Sequence, residues 1–151
     1  MQQQQLAEIY DRQVETVYRV CSIYLKNKAD TEDAVSDTFV RLMRSGTVFE
    51  NAEHEKAWLI VTAKNICRDR LKSPRYRFEP LSDDMLTGNI EVDETLMLLR
   101  SLPEKYRTVI YLHYYEGYTC EEIAKMLKIA KSTAGSRLDR GRKKLKEILE
   151  E

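Results

Sequence analysis

Thr119-Cys120-Glu121-Glu122-Ile123-Ala124-Lys125-Met126-Leu127-Lys128-Ile129-Ala130-Lys131-Ser132-Thr133-Ala134-Gly135-Ser136-Arg137-Leu138 is the stretch whose reading decides the fold. Thr119, followed three residues later by Glu122, is a capping box: each side chain satisfies a backbone N–H of the other residue, and a helix starts there. That helix carries Ile123, Ala124, Met126 and Leu127, and a tight turn from Lys128 to Lys131 delivers the chain to Ser132, the expected N-cap of a last helix. Two short helices joined by a tight turn form a helix-turn-helix. On a helical wheel the last helix divides, with Ala134, Leu138, Gly141, Leu145 and Leu149 on a packing side and Thr133, Arg137, Arg140 and Lys144 on an outward one.

The outward side is what nucleic acid requires. Free N–H groups and the dipole at a helix start favour phosphate. Thr133, Ser136 and Arg137, in the first turns of that helix, are placed to reach base edges in a major groove. Arg140, Lys143 and Lys144 are placed to grip the backbone, which makes binding salt-dependent. The plain alternative is a solvated basic helix, but the capped helix, the turn and the charged stripe occur together.

Upstream, a short helix through Leu96 to Leu99 precedes Ser101-Leu102-Pro103-Glu104, read as a second capping box with an early proline. Its helix runs through Val109, Ile110 and Tyr114 to a stop at Gly117. Before it, residues 74 to 92 show no periodicity, are punctuated by Pro74, Pro80 and Gly88, and are rich in acids, which reads as a flexible acidic linker. Fully extended, its roughly 19 residues span about 65 Å, so two DNA contacts nearly two duplex turns apart are within reach.

The first 73 residues read as three helices. Leu6, Ile9, Tyr10, Val14, Val17, Cys21 and Tyr24 mark one over about residues 4 to 26, and Asp30 opens another whose buried stripe is Val35, Phe39, Leu42 and Met43, stopped at Ser45-Gly46. After a polar loop, Leu59, Ile60, Ala63, Ile66 and Cys67 define a third core face. Trp58, Thr62, Asn65 and Asp69 share another side of that helix, which the residues alone leave open between a solvated flank and a binding face.

Composition narrows the function classes. The 25 basic and 25 acidic residues cancel, so distribution decides: Lys131 to Lys146 is strongly basic with Asp139 its only acid, while Glu79 to Glu94 holds acids and no base. Cys21, Cys67 and Cys120 lie far apart without metal-ligand spacing, which argues against a disulfide framework or zinc site and fits a reducing cytoplasm. No stretch approaches the roughly 18 apolar residues of a membrane span. No phosphate-binding glycine loop, metal cluster or triad context surrounds the two histidines, so no catalytic residue, cofactor, metal or small-molecule substrate is expected.

Taken together, the chain resembles an extracytoplasmic-function sigma factor, the small two-domain specificity subunit of bacterial RNA polymerase. The blocks that carry the resemblance are Leu102-Pro103-Glu104-Lys105-Tyr106-Arg107, Tyr118 to Ala124 and Ser132 to Lys143 in the second half, with Thr31 to Phe39 and Ala57-Trp58-Leu59 through Ala63-Lys64-Asn65 in the first. The resemblance implies an all-α chain of two small helical domains: a region 2 bundle over 1–73 and a region 4 helix-turn-helix over 93–151, joined by the linker 74–92. It implies that Lys131, Ser132, Thr133, Ser136, Arg137, Arg140, Lys143 and Lys144 read the −35 element. Phe49, Asn51, Trp58, Thr62, Lys64, Asn65, Arg68 and Arg70 would capture the opened −10 strand, a role suited to aromatic faces, amides and bases. Asp33, Ser36, Asp37 and Arg41 would dock on the clamp coiled coil. The implied partners are core RNA polymerase (clamp coiled coil and flap), promoter DNA and an anti-sigma factor, and the acidic linker would thread the polymerase's basic channels.

Three positions depart from the family pattern. Lys128 stands where the turn often has glycine, which implies a positive φ; Gly135 stands where a lysine is common; Ser36 stands where a longer glutamine is common. A lone DNA-binding regulator explains the second half equally well but leaves the blocks of the first half unexplained.

Overall fold

The computed structural model describes residues 2–74 and 94–150. The chain divides into two compact units, Met1–Val92 and Asp93–Glu151. The acidic linker expected over 74–92 lies, apart from Pro74, outside the described residues. The secondary structure of the described residues is helical throughout.

The first unit packs α1 (Gln3–Ser22), α2 (Lys28–Ser45) and α3 (Ala52–Leu71) each against the other two. Val17, Cys21, Ala34, Leu42, Leu59, Ala63 and Cys67 are wholly buried where they meet. The first helix stops at Ser22, short of the expected residue 26, because Ile23, Tyr24 and Leu25 continue into the core as a buried turn closed by Leu25 N–H on Cys21 O at 2.9 Å. The second begins at Lys28 and not Asp30, since Asn27 is its cap and accepts the Asp30 N–H at 2.8 Å. Gly46 ends it in the left-handed conformation, φ 66°.

Two expected core residues are displaced outward. Met43 is 45% exposed: Val35, Phe39 and Leu42 already fill the stripe, and Met43 falls about 100° further round the helix. Tyr10 is also exposed and lies as a lid over Phe39, ring centroids 4.9 Å apart. Between α1 and α3 the 5%-exposed Glu55 receives Arg12 through Nε (3.2 Å) and Nη2 (2.9 Å), and Gln13 Nε2 at 3.0 Å. Cys21 and Cys67, distant in sequence, meet in this core as free thiols. The Cys67 sulfur and burial together push the Cys21 thiol well above its ordinary range, which leaves it inert.

The second unit runs from α4 (Glu94–Leu98) through a 3₁₀ turn (Leu99–Ser101) to α5 (Glu104–Tyr114), α6 (Cys120–Leu127) and α7 (Lys131–Glu150). The capping box expected at Ser101 does not form, because Ser101 belongs to the 3₁₀ turn and Pro103 becomes the cap. Arg107 ties that corner instead, donating through Nη2 to Leu102 O at 2.9 Å. The Thr119 box does form: Thr119 N–H donates to Glu122 Oε1 at 3.0 Å, and Glu122 N–H to Thr119 Oγ1 at 3.2 Å. These bonds hold the Glu122 carboxyl below its ordinary pKa.

Lys128 turns the chain with φ 57°, the one non-glycine residue at positive φ among the described residues. The last helix then starts at Lys131, with Ala134 N–H on Ala130 O at 3.0 Å, so Ser132 lies inside its first turn and is not the cap. Ala134, Leu138 and Gly141 are buried against α5 and α6, and Leu145 is half-buried. Leu149, expected to pack, is 62% exposed, because a helix of 20 residues is about 30 Å long and outruns the 11-residue α5 beside it. No described helix is long and apolar enough to cross a membrane, and no cluster of metal-ligating side chains occurs among the described residues.

Candidate nucleic-acid interface

The capped α6 and the left-handed turn at Lys128 fix where α7 emerges, and the close seat of Gly141 on α5 fixes how it lies. A Cβ at Gly141 would stand 2.8 Å from Ile110 Cγ1 and 3.4 Å from Tyr106 Cβ. Along that crossing an open groove of about 480 Å³ is lined by Lys105 and Tyr106 of α5 and by Ser132, Thr133, Ser136, Arg137 and Arg140 of α7. It holds three cationic side chains and no acid, the electrostatics that a phosphate backbone requires. Exposed Lys131, Lys143 and Lys144 extend the positive surface beyond the groove lining, with Lys144 Nζ 5.9 Å above the Tyr106 ring.

Lys105 and Tyr106 were missed in the sequence. The available signal was a lysine in the first turn of α5, where the helix dipole disfavours a cation unless an anion is to be met. Arg142, by contrast, is held by the Tyr114 hydroxyl and by Asp139 at 3.2 Å. The bond to Tyr114 keeps its guanidinium more firmly protonated despite slight burial. Gly135 faces open space, since a Cβ there would meet nothing within 4 Å.

In the first unit, half-buried Trp58 and Thr62 and exposed Asn65 lie along one side of α3, with exposed Arg68 in the next turn. Phe49 joins them, its ring edge-on to Trp58 at 5.8 Å and to His54 at 5.3 Å. Glu50 N–H donates to His54 Nδ1 at 3.3 Å and pins the loop beneath these rings. Asn51 stands beside the group, with its side-chain oxygen engaged as the α3 cap on His54 N–H at 2.8 Å. Lys64 is only 9% exposed and is not presented together with Asn65.

Arg70 lies elsewhere. Its Nη1 donates to Asp33 Oδ2 at 2.8 Å and its Nη2 to Asp37, so the guanidinium faces α2 and not the Trp58 side. Burial disfavours its charge, but the two carboxylates outweigh that and raise its pKa. Asp33, Ser36, Asp37 and Arg41 are all exposed, with Asp33, Asp37 and Arg41 one turn apart along α2.

Comparison with known proteins identifies both units. The family described as "Sigma-70 region 2" matches residues 9–76, and "Sigma-70, region 4" matches residues 93–145. The ECF RNA polymerase sigma factor SigW of Bacillus subtilis is 28% identical, the match covering 97% of this chain and 90% of SigW; SigX of the same organism is 26% identical over 94% and 82%. BldN of Streptomyces coelicolor is 31% identical over 79% of this chain, and the match spans half of BldN's length. Among solved structures, the sigma factor RpoE of Bartonella quintana in complex with the anti-sigma factor NepR superposes with a TM-score of 0.74 at 22% identity, covering 97% of this chain and 95% of that one. CnrH in complex with the cytosolic domain of CnrY gives 0.74 at 24% identity, covering 99% and 90%; these two likenesses concern the fold alone. With both sigma regions present in order, the chain belongs to the ECF RNA polymerase sigma factors, non-enzymatic subunits that direct promoter-specific transcription initiation.

Proposed function

We propose that the two units divide promoter recognition between them. The first turns of α7, with Ser132, Thr133, Ser136 and Arg137, read the −35 duplex, while Lys131, Arg140, Lys143, Lys144 and Lys105 hold its phosphates. The groove shared by α5 and α7 carries this reading: it is cationic, free of acids in its lining, and flanked by a helix start. Phe49, Trp58, Thr62, Asn65 and Arg68 capture the opened −10 strand, since base faces stack on rings and base edges and phosphates meet the amide and the cation.

The α2 face with Asp33, Ser36, Asp37 and Arg41 docks on the clamp coiled coil, and the second unit engages the flap. An anti-sigma factor is a further partner, a reading supported by the Bartonella quintana sigma factor RpoE, which is bound to the anti-sigma factor NepR. The protein works in the cytoplasm, where the polymerase is.

Reconstitution with core polymerase tests the reading: transcription from a genomic library, with start sites mapped, yields a shared pair of upstream elements. Duplex binding by the chain without any specific initiation by the polymerase would mean that it is a lone regulator.

A further inference from the structure

Arg70 occupies an unusual place. It extends the series Leu59, Ala63, Ile66, Arg70 at helical spacing, so it continues the core-facing side of α3, where the stripe runs out against α2. There one planar guanidinium meets two carboxylates one turn apart, Asp33 through Nη1 and Asp37 through Nη2. Its side chain is 22% exposed, while those of the acids are 69% and 51% exposed. The cation is therefore tucked beneath, and the anionic edge remains open to a partner.

Two like charges at this spacing repel along a helix and would otherwise sample separate rotamers. A forked donor fixes both at once, whereas a lysine's single ammonium lacks that rigid fork. Within the trio the two acids outnumber Arg70, so the edge formed by Asp33 and Asp37 stays anionic, with exposed Arg41 one turn beyond it.

We infer that Arg70 is a positioning residue for polymerase docking: it fixes Asp33 and Asp37 as one rigid anionic edge on α2 and joins that edge to α3, and it is not a contact to the −10 strand. This rests on the reading that the Asp33 and Asp37 face meets the polymerase. The same link ties the docked face to the helix bearing Trp58 and Asn65, so docking orients the strand-capturing side chains.

The test uses the full-length chain with Arg70→Gln, Arg70→Lys, the pair Asp33→Asn with Asp37→Asn, and the combination of that pair with Arg70→Gln. Affinity for core polymerase is measured at a temperature where circular dichroism shows every variant folded, and binding of a single-stranded −10 oligonucleotide is measured on saturated holoenzyme. Arg70→Gln should weaken core binding about tenfold, a change of about 1.4 kcal/mol. Arg70→Lys, which keeps the charge and folds most readily, should fail to restore it, and Arg70→Gln should add little to the loss already caused by the acid pair.

Loss of oligonucleotide binding with core affinity intact would make Arg70 a strand contact and overturn the inference. Fully additive losses, or complete rescue by lysine, would reduce it to a structural tie and overturn it likewise. If the acid pair weakens core binding while Arg70→Gln does not, this inference alone fails; if the acid pair leaves core binding unchanged, the docking face itself is misassigned and Arg70's role falls with it.

Discussion

Gly141 of α7 and Ile110 of α5 approach so closely that a single added methyl would come within 2.8 Å of the isoleucine Cγ1. Ile110 is buried on all sides, so α7 is seated by the absence of a side chain at Gly141. Gly141→Val should lower the stability of the second unit by about 1–3 kcal/mol. Urea denaturation of the full chain reads this out, and Gly141→Ala should cost less in an Ile110→Ala background than it does alone.

Lys128 holds a left-handed φ of 57° in the turn between α6 and α7, where Cβ crowds the following carbonyl. Lys128→Gly removes that crowding and should stabilise the unit by about 0.5–1 kcal/mol, while Lys128→Val should destabilise it. A denaturation midpoint unchanged in both variants would show that the turn carries no strain.

Arg137→Ala should lower initiation at −35-dependent promoters about ten- to a hundredfold, the scale of one base-edge contact of about 1–3 kcal/mol. Core binding should be untouched. Equal loss of both would remove Arg137 from the duplex-reading set.

The double variant Trp58→Ala with Asn65→Ala should slow promoter opening more than closed-complex formation. Stacking contributes about 1–3 kcal/mol per base, so opening should fall by about tenfold or more. Permanganate reactivity of unpaired thymines measures it, and unchanged reactivity would count against the −10 role.

Glu55 links pH to stability in the first unit. Burial pushes its pKa up, but the hydrogen bonds from Arg12 and Gln13 and the charge of Arg12 outweigh that, so the folded value lies below the ordinary one. Its contribution is therefore fully present above the usual glutamate pKa and is lost as the pH falls through the lowered folded value. Glu55→Gln should cost about 1–3 kcal/mol at neutral pH and flatten the acid limb of the thermal-melt profile. A parallel acid limb in the two proteins would show that Glu55 does not carry it.

Much of this was legible in the sequence where local chemistry determines local structure. The Thr119–Glu122 box, the Gly46 stop and the strained Lys128 turn depend on a few adjacent residues, and each forms as read. What escaped depended on neighbours distant in the chain. Met43 has the right period but loses its place to Leu42, and Ser101 has the right capping chemistry but is drawn into a 3₁₀ turn. Leu149 continues a stripe past the end of its support.

The candidate site follows the same division. Arg137 and Arg140 were readable from one helix, whereas Lys105 and Tyr106 join them only because α5 crosses α7. The family resemblance groups Arg70 with Asn65, yet its position four residues after Ile66 continues the core-facing series of α3, where it meets Asp33.

Gly135 bears on how this chain's promoter preference can change. It stands between Thr133 and Ser136 of the proposed reading face, a Cβ there would meet nothing within 4 Å, and as a glycine within a helix it costs about 1 kcal/mol relative to alanine. Most changes to a recognition surface trade folding for novelty, but here replacement by an ordinary helix former would firm the helix and add a group on its open side. On the duplex-reading role proposed for α7, the position is an unfilled place on that surface, where one substitution adds a group without displacing another.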